Sequence, residues 1–151
     1  MTVPLVILWL HLLGVVVWIG GLTYQAHVLL PTARRGDPAL FAESARRARP
    51  VAWTALALVV LTGFYNVTRL GPLGRVMESG AGLTLAGKFI LAIVAVALAG
   101  QRDFVQVPRL GRALAAGRDA GPALGAIAWL DRLVLLLALA MVYLGLAISR
   151  A

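Results

Sequence analysis

The sequence predicts an all-α fold, an integral-membrane four-helix bundle with both termini outside (N-out/C-out). Three observations carry this. The chain has 151 residues, 61% of them hydrophobic and only 13% charged, with a mean hydropathy of +0.90, too little charge to cover a soluble domain. Its apolar residues gather in four long runs, which predict helices over about 3–31, 51–69, 83–103 and 124–149 in a single domain spanning 1–151. Its Arg residues crowd two of the three connections.

A bilayer core of about 30 Å needs about 20 helical residues, and each run reaches or approaches that length. Lipid offers no partner to backbone N–H and C=O groups, so only helices or closed barrels cross it. The runs do not alternate in polarity and are too long for barrel strands. Helix 1 has no basic residue before it and no short apolar stretch ending in a small-residue cleavage site. It is expected to stay in place rather than be removed as a signal peptide. With no Cys in the chain, disulfides, thiolate metal sites and iron–sulfur clusters are excluded.

The net charge of +8 is unevenly placed. Arg34, Arg35, Arg46, Arg47 and Arg49 lie between helices 1 and 2, and Arg102, Arg109, Arg112 and Arg118 between helices 3 and 4. The middle connection holds only Arg69 and Arg75, and the ends only Arg150. The positive-inside rule then puts the two Arg-rich loops in the cytoplasm and both termini on the periplasmic side of a bacterial inner membrane. Such a surface fits anionic lipid head groups. It has no aromatic platform or recognition motif for nucleic acid.

In "PTARRGDPALFAESARRARP" a short interfacial helix is expected from about Pro38, with Leu40 and Phe41 toward lipid. "GPLGRVMESGAG" reads as a turn, and "VPRLGRALAAGRDAGP" as an interfacial helix ending near Gly117. "NVT" at 66–68 matches a glycosylation sequon, a weak signal beside a membrane. No strong repeat and no second domain is visible.

Two features break the apolar pattern. In "WLHLLGVVVWIGGL" helix 1 carries His11. At 100° per residue His11, Trp18 and Gln25 share a face, with Gly14 and Gly21 beside them. Small residues there admit another helix or a flat cofactor. His27 is about 24 Å further along and about 160° around, so the two imidazoles cannot ligate one metal from a single copy. In helix 3 the chain's single Lys, Lys88, is followed by Ala92, Ala95 and Ala99 on its own face. Helices 1 and 3 run the same way, and His11 and Lys88 fall at matched depth in the outer half. Ionisable groups at such depth usually face the bundle interior. Arg69, at the outer end of helix 2, stands near enough to join them.

Plainer readings stand beside this one. A lone membrane His often only hydrogen-bonds a neighbouring helix, and Lys88 can snorkel to the head groups. Trp9 and Trp53 read as interface anchors, and the Gly face as packing. A second polar group comprises His27, Arg102, Asp103, Asp131 and Arg132. It reads mainly as interfacial ion pairing that fixes helix depth.

"WLHLLGVVVWIGGLTYQAHVLLP" resembles the first helix of the copper-resistance protein D family, with its His followed by Trp-x-Gly-Gly-Leu. "LVVLTGFYNV" resembles that family's Leu-Thr-Gly segment, and "AGKFILAIVAVALAGQRD" its third helix with an early Lys. The HemJ-type protoporphyrinogen oxidases share this architecture and are associated with haem b, and His11 and Lys88 match their His and Lys. The likeness covers most of the first three helices.

The resemblance implies a haem b protein with a redox or tetrapyrrole-related role, an oxidoreductase with an electron-transfer partner. His11 would be the axial ligand, Gly14, Trp18 and Gly21 the porphyrin slot, and Lys88 and Arg69 the partners of propionates. The alternative is copper transport or copper resistance. Copper favours Cys, Met and His, and this chain offers two His in opposite leaflets and Met1, Met77 and Met141 far apart. A third reading is a non-catalytic membrane subunit. A homodimer meeting on the Gly14/Gly21 face would bring two His11 rings together.

Overall fold

The computed structural model describes residues 2–69, 71–78 and 80–150. The side chains of Leu73, Val76, Met77, Gly80, Ala81 and residues 148–150 lie outside that description, as does Met1. The described residues form helices and contain no strand. Four continuous helical spans are long and apolar enough to cross a membrane: Val3–Arg35, Pro38–Thr68, Gly82–Ala115 and Gly121–Ala147. The first is α1 (Val3–Tyr24), a widened turn at Gln25–Leu29, and α2 (Leu30–Arg35). The second is α3 (Pro38–Thr68). A short α4 (Leu73–Glu78) follows, so the stretch expected to be a turn is partly helical. The third span is α5 (Gly80–Gly100), a widened turn at Gln101–Gln106, and α6 (Val107–Ala115). The fourth is α7 (Gly121–Arg150).

The helix ends follow local chemistry. Asp37 caps α3, its carboxylate accepting from the Leu40 N–H at 2.9 Å, and Pro38 occupies the first turn, where a missing N–H costs nothing. Gly117, at φ +63°, closes α6 in a Schellman motif. The Arg118 N–H reaches Ala113 O at 2.8 Å, and the Gly117 N–H reaches Leu114 O at 3.1 Å.

The interfacial helices expected around Pro38 and before Gly117 are not separate pieces. Each is the Arg-rich extension of a span, because neither Pro50 nor Pro108 ends its helix. Phe41 does not dip into lipid: it is 1% exposed, packed with Leu30, Ala45, Val107, Leu110 and Ile127, while Leu40 stays outside. Residues four apart share a helical face, and Phe41 shares that of buried Ala45.

The two widened turns have one cause. Pro31 and Pro108 each remove a backbone N–H, and their rings press on the carbonyl four residues back. The helix absorbs this just upstream by reaching one residue further. The Leu30 N–H bonds Gln25 O, and the Val107 N–H bonds Arg102 O. The first and third spans share more than this. Gln25 and Arg102 lie 77 residues apart, and that same offset relates His11 to Lys88 and Pro31 to Pro108. The sequence shows no strong repeat because only these scattered positions keep the register.

Adjacent spans run in opposite directions, with α1 packed on α3 and α5 on α7. Trp18, Leu22, Leu56, Ala95, Val134 and Ala138 form the middle of the bundle.

Candidate functional site

At the end of the bundle that carries the termini, His11 is half-buried against α3. Its Nδ1 lies 3.0 Å from Val59 O and 3.0 Å from Thr62 Oγ1. A carbonyl oxygen only accepts, so Nδ1 carries the hydrogen. Thr62 agrees: its hydroxyl donates to Leu58 O at 2.5 Å and is left to accept from the ring. In the neutral imidazole this tautomer leaves a lone pair on Nε2, and no hydrogen bond among the described residues engages that nitrogen. Gly63 forms the floor beneath the ring. A Cβ there would stand 3.4 Å from His11 Cε1. A held Nδ1–H and an open Nε2 are how proteins orient a metal-binding imidazole.

Lys88 lies at the same end, close enough for its charge to act on His11. Its Nζ rests against Gly145 of α7, 3.2 Å from where a Cβ would be. Met141, partly buried against the middle of the bundle, is one turn deeper on α7. Met1 and the Met77 side chain lie outside the described residues. Thr62, Gly63 and Gly145 were not singled out from sequence. The Leu-Thr-Gly segment was the available signal for the first two.

The remaining sequence candidates are elsewhere. Gly14 is buried against α3: a Cβ there would come 2.8 Å from Val59 Cγ2 and 3.0 Å from Ala55 O. Trp18 is a core residue, 7% exposed. The second span therefore packs directly on Gly14. Gly21 is exposed, with open space where a Cβ would go. Arg69 is exposed at the end of α3, its guanidinium 5.9 Å from the Tyr65 ring centroid. Of the three residues expected to form a porphyrin slot, Gly14 packs on α3, while Trp18 and Gly21 line a cavity that continues to Gln25, Arg102 and Asp103 and that His11 does not line.

At the Arg-rich end a second set of polar groups is buried. Arg102 donates from Nε to Asp131 Oδ1 at 2.5 Å, from Nη1 to Asp103 Oδ1 at 2.5 Å and from Nη2 to Gln25 Oε1 at 2.7 Å. Trp53 Nε1 donates to Asp103 Oδ2 at 2.9 Å. Arg102, Asp103 and Asp131 are 4%, 6% and 0% exposed. All four spans contribute, so this group joins the bundle rather than sitting at its interface. Trp53 is part of it and not only an anchor. Two members of the expected group are left out. His27 is exposed, its ring bonded to Thr23 O of its own helix, and exposed Arg132 lies over Trp129. Arg102 and Asp103 are chain neighbours within the widened turn, and both are buried. Among the described residues no group of three or more His, Cys, Asp or Glu could hold a metal ion.

The family of copper resistance protein D (CopD) matches residues 42–148. The match begins within α3 and runs through the fourth span, so it includes Thr62, Gly63, Lys88, Arg102 and Asp131 but not His11. No curated protein and no solved structure matches the chain. With well over half its length matched, across three of its four apolar spans, this chain belongs to the copper resistance protein D family of membrane proteins.

Proposed function

We propose that the protein handles copper within the bilayer, with His11 Nε2 as a copper ligand at the end of the bundle that carries the termini. One observation carries the site: Val59 O and Thr62 Oγ1 hold Nδ1–H and leave Nε2 open. Family membership supplies the metal. Imidazole suits copper, and thioether suits Cu(I), which makes Met141 a second soft donor at this level among the described residues. One imidazole with few partners favours a site that passes the ion along or shares it with another molecule, rather than storing it. Lys88, beside it, discourages a permanent second cation.

The Arg distribution supports an orientation with this end periplasmic. Copper would then be met on that side.

The test is copper binding by purified protein in lipid discs, measured by chelator competition. His11→Ala is expected to abolish the tightest binding, and unchanged binding in that variant overturns the assignment. The same sample tests the haem and oxidoreductase reading, which uses the same nitrogen. A Soret band in the native protein that is lost in His11→Ala would replace copper by haem b.

A further inference from the structure

The buried group at the Arg-rich end sets one guanidinium against two carboxylates. Both oxygens of Asp103 are engaged, one by Arg102 and one by Trp53. Asp131 is different. Its Oδ1 accepts from Arg102, but Oδ2 is buried with no hydrogen-bond partner, in a residue that is 0% exposed. An uncompensated negative charge and an unsatisfied carboxylate oxygen are each expensive in a low-dielectric interior; the group carries one carboxylate more than its guanidinium balances, and the unsatisfied oxygen is on Asp131.

We propose that Asp131 Oδ2 binds one exchangeable proton, which makes the Arg102–Asp103–Asp131 group electrically neutral. The bound proton forms an O–H bond at Oδ2 and leaves as a proton to water, with no change of electrons. A metal ion is a poorer occupant, because the Arg102 guanidinium lies 2.5 Å from the other oxygen of the same carboxylate.

The other groups facing Asp131 do not supply the missing charge. Among the described residues, the charged groups of the third span that act on Asp131 are Arg102 and Asp103. From the first come uncharged Gln25, bonded to Arg102, and His27, which acts on Asp131 electrostatically but is exposed and screened by solvent. From α3 comes uncharged Trp53, and Arg49 of that helix stands instead over the Phe104 ring at 5.2 Å. A cavity of about 210 Å³ beside the group is lined by Gln25, Arg102 and Asp103 and by exposed Gly21. Asp131 does not line it, so water there reaches Gln25, Arg102 and Asp103 before Asp131. This site shares no side chain with His11, which is about 21 Å from Gln25 along the first span, so each assignment can fail alone.

The test is infrared spectroscopy of the full chain in lipid discs, with carboxyl-¹³C aspartate and H₂O/D₂O exchange at neutral pH. The expected result is a single protonated-aspartic-acid C=O band, sensitive to both isotopes and lost in Asp131→Asn. Asp103→Asn leaves one guanidinium facing one carboxylate, so the band is expected to vanish there too, although Asp131 is still present. This second variant keeps the test of the neutral, singly protonated group decisive if Asp131→Asn does not fold. A native protein whose aspartates are all ionised overturns the proposal, and so does a band that persists in Asp103→Asn.

Discussion

His11 of α1 and Thr62 of α3 are joined by a hydrogen bond of 3.0 Å from ring Nδ1 to hydroxyl oxygen. The hydroxyl has already given its own hydrogen to Leu58 O. The pair couples the orientation of one imidazole to the packing of two spans.

Thr62→Val keeps the branched shape and removes the acceptor. Val59 O still holds Nδ1–H, so the ring is expected to stay in place but loosen. Copper affinity is expected to fall about 10- to 100-fold, the usual effect of losing a partner behind a ligating His. Stability should change little, since a hydrogen bond between membrane helices contributes about 0.6 kcal/mol on average. Chelator competition beside a thermal melt checks both. An affinity equal to the native value would mean that Thr62 does not orient the ligand.

Gly14 and Gly21 are expected to separate sharply. At Gly14 a methyl group meets Val59 Cγ2 at 2.8 Å and the Ala55 carbonyl oxygen at 3.0 Å, so Gly14→Ala has to push α1 from α3. Overpacking of this kind costs about 1–3 kcal/mol. At Gly21 nothing stands within 4 Å, and Gly21→Ala should change stability by no more than about 0.5 kcal/mol. Equal losses in the two variants would contradict the packing of α1 on α3.

Arg102→Leu strands two buried carboxylates and the Gln25 amide. Breaking a buried ion pair by removing one partner costs about 3–5 kcal/mol, so this variant should be among the least stable. Adding Asp103→Asn and Asp131→Leu to it removes the stranded charges and should recover much of the loss. Stability measured in the single and triple variants decides the matter, and a triple variant no better than the single one argues that the group is held by something other than charge.

Reporter tags at the two termini are expected on the periplasmic side. Ten Arg (Arg34, Arg35, Arg46, Arg47, Arg49, Arg102, Arg109, Arg112, Arg118 and Arg132) lie toward the opposite end of the bundle, against Arg69, Arg75 and Arg150 at this end. A C-terminal tag protected from outside, in a protein with four spans, would reverse the orientation and place His11 toward the cytoplasm.

What the sequence by itself determined was the solvent and the count of helices. Runs of apolar residues at helical length have one outcome in lipid, because each backbone group must find its partner within its own segment. It also placed His11 and Lys88 at one end and Arg102, Asp103 and Asp131 at the other, since depth along a helix is linear in residue number. Only the tertiary structure decided what those residues touch. Gly14 and Gly21 look alike in sequence, yet one is filled by α3 and the other open, because a helix face has no meaning until a neighbour takes it. The widened turns depended on context as well. Pro31 and Pro108 mark where a helix is disturbed, but the direction in which Gln25, Arg102 and Asp103 then point is a matter of packing. Asp131 looked like an interfacial group because it follows Trp129 and Leu130 near the start of a helix. Its burial comes from three other spans closing over it, a relation between residues as much as 106 positions apart, as Gln25 and Asp131 are. Local pattern cannot carry information over that distance. Charge balance inside the closed bundle does.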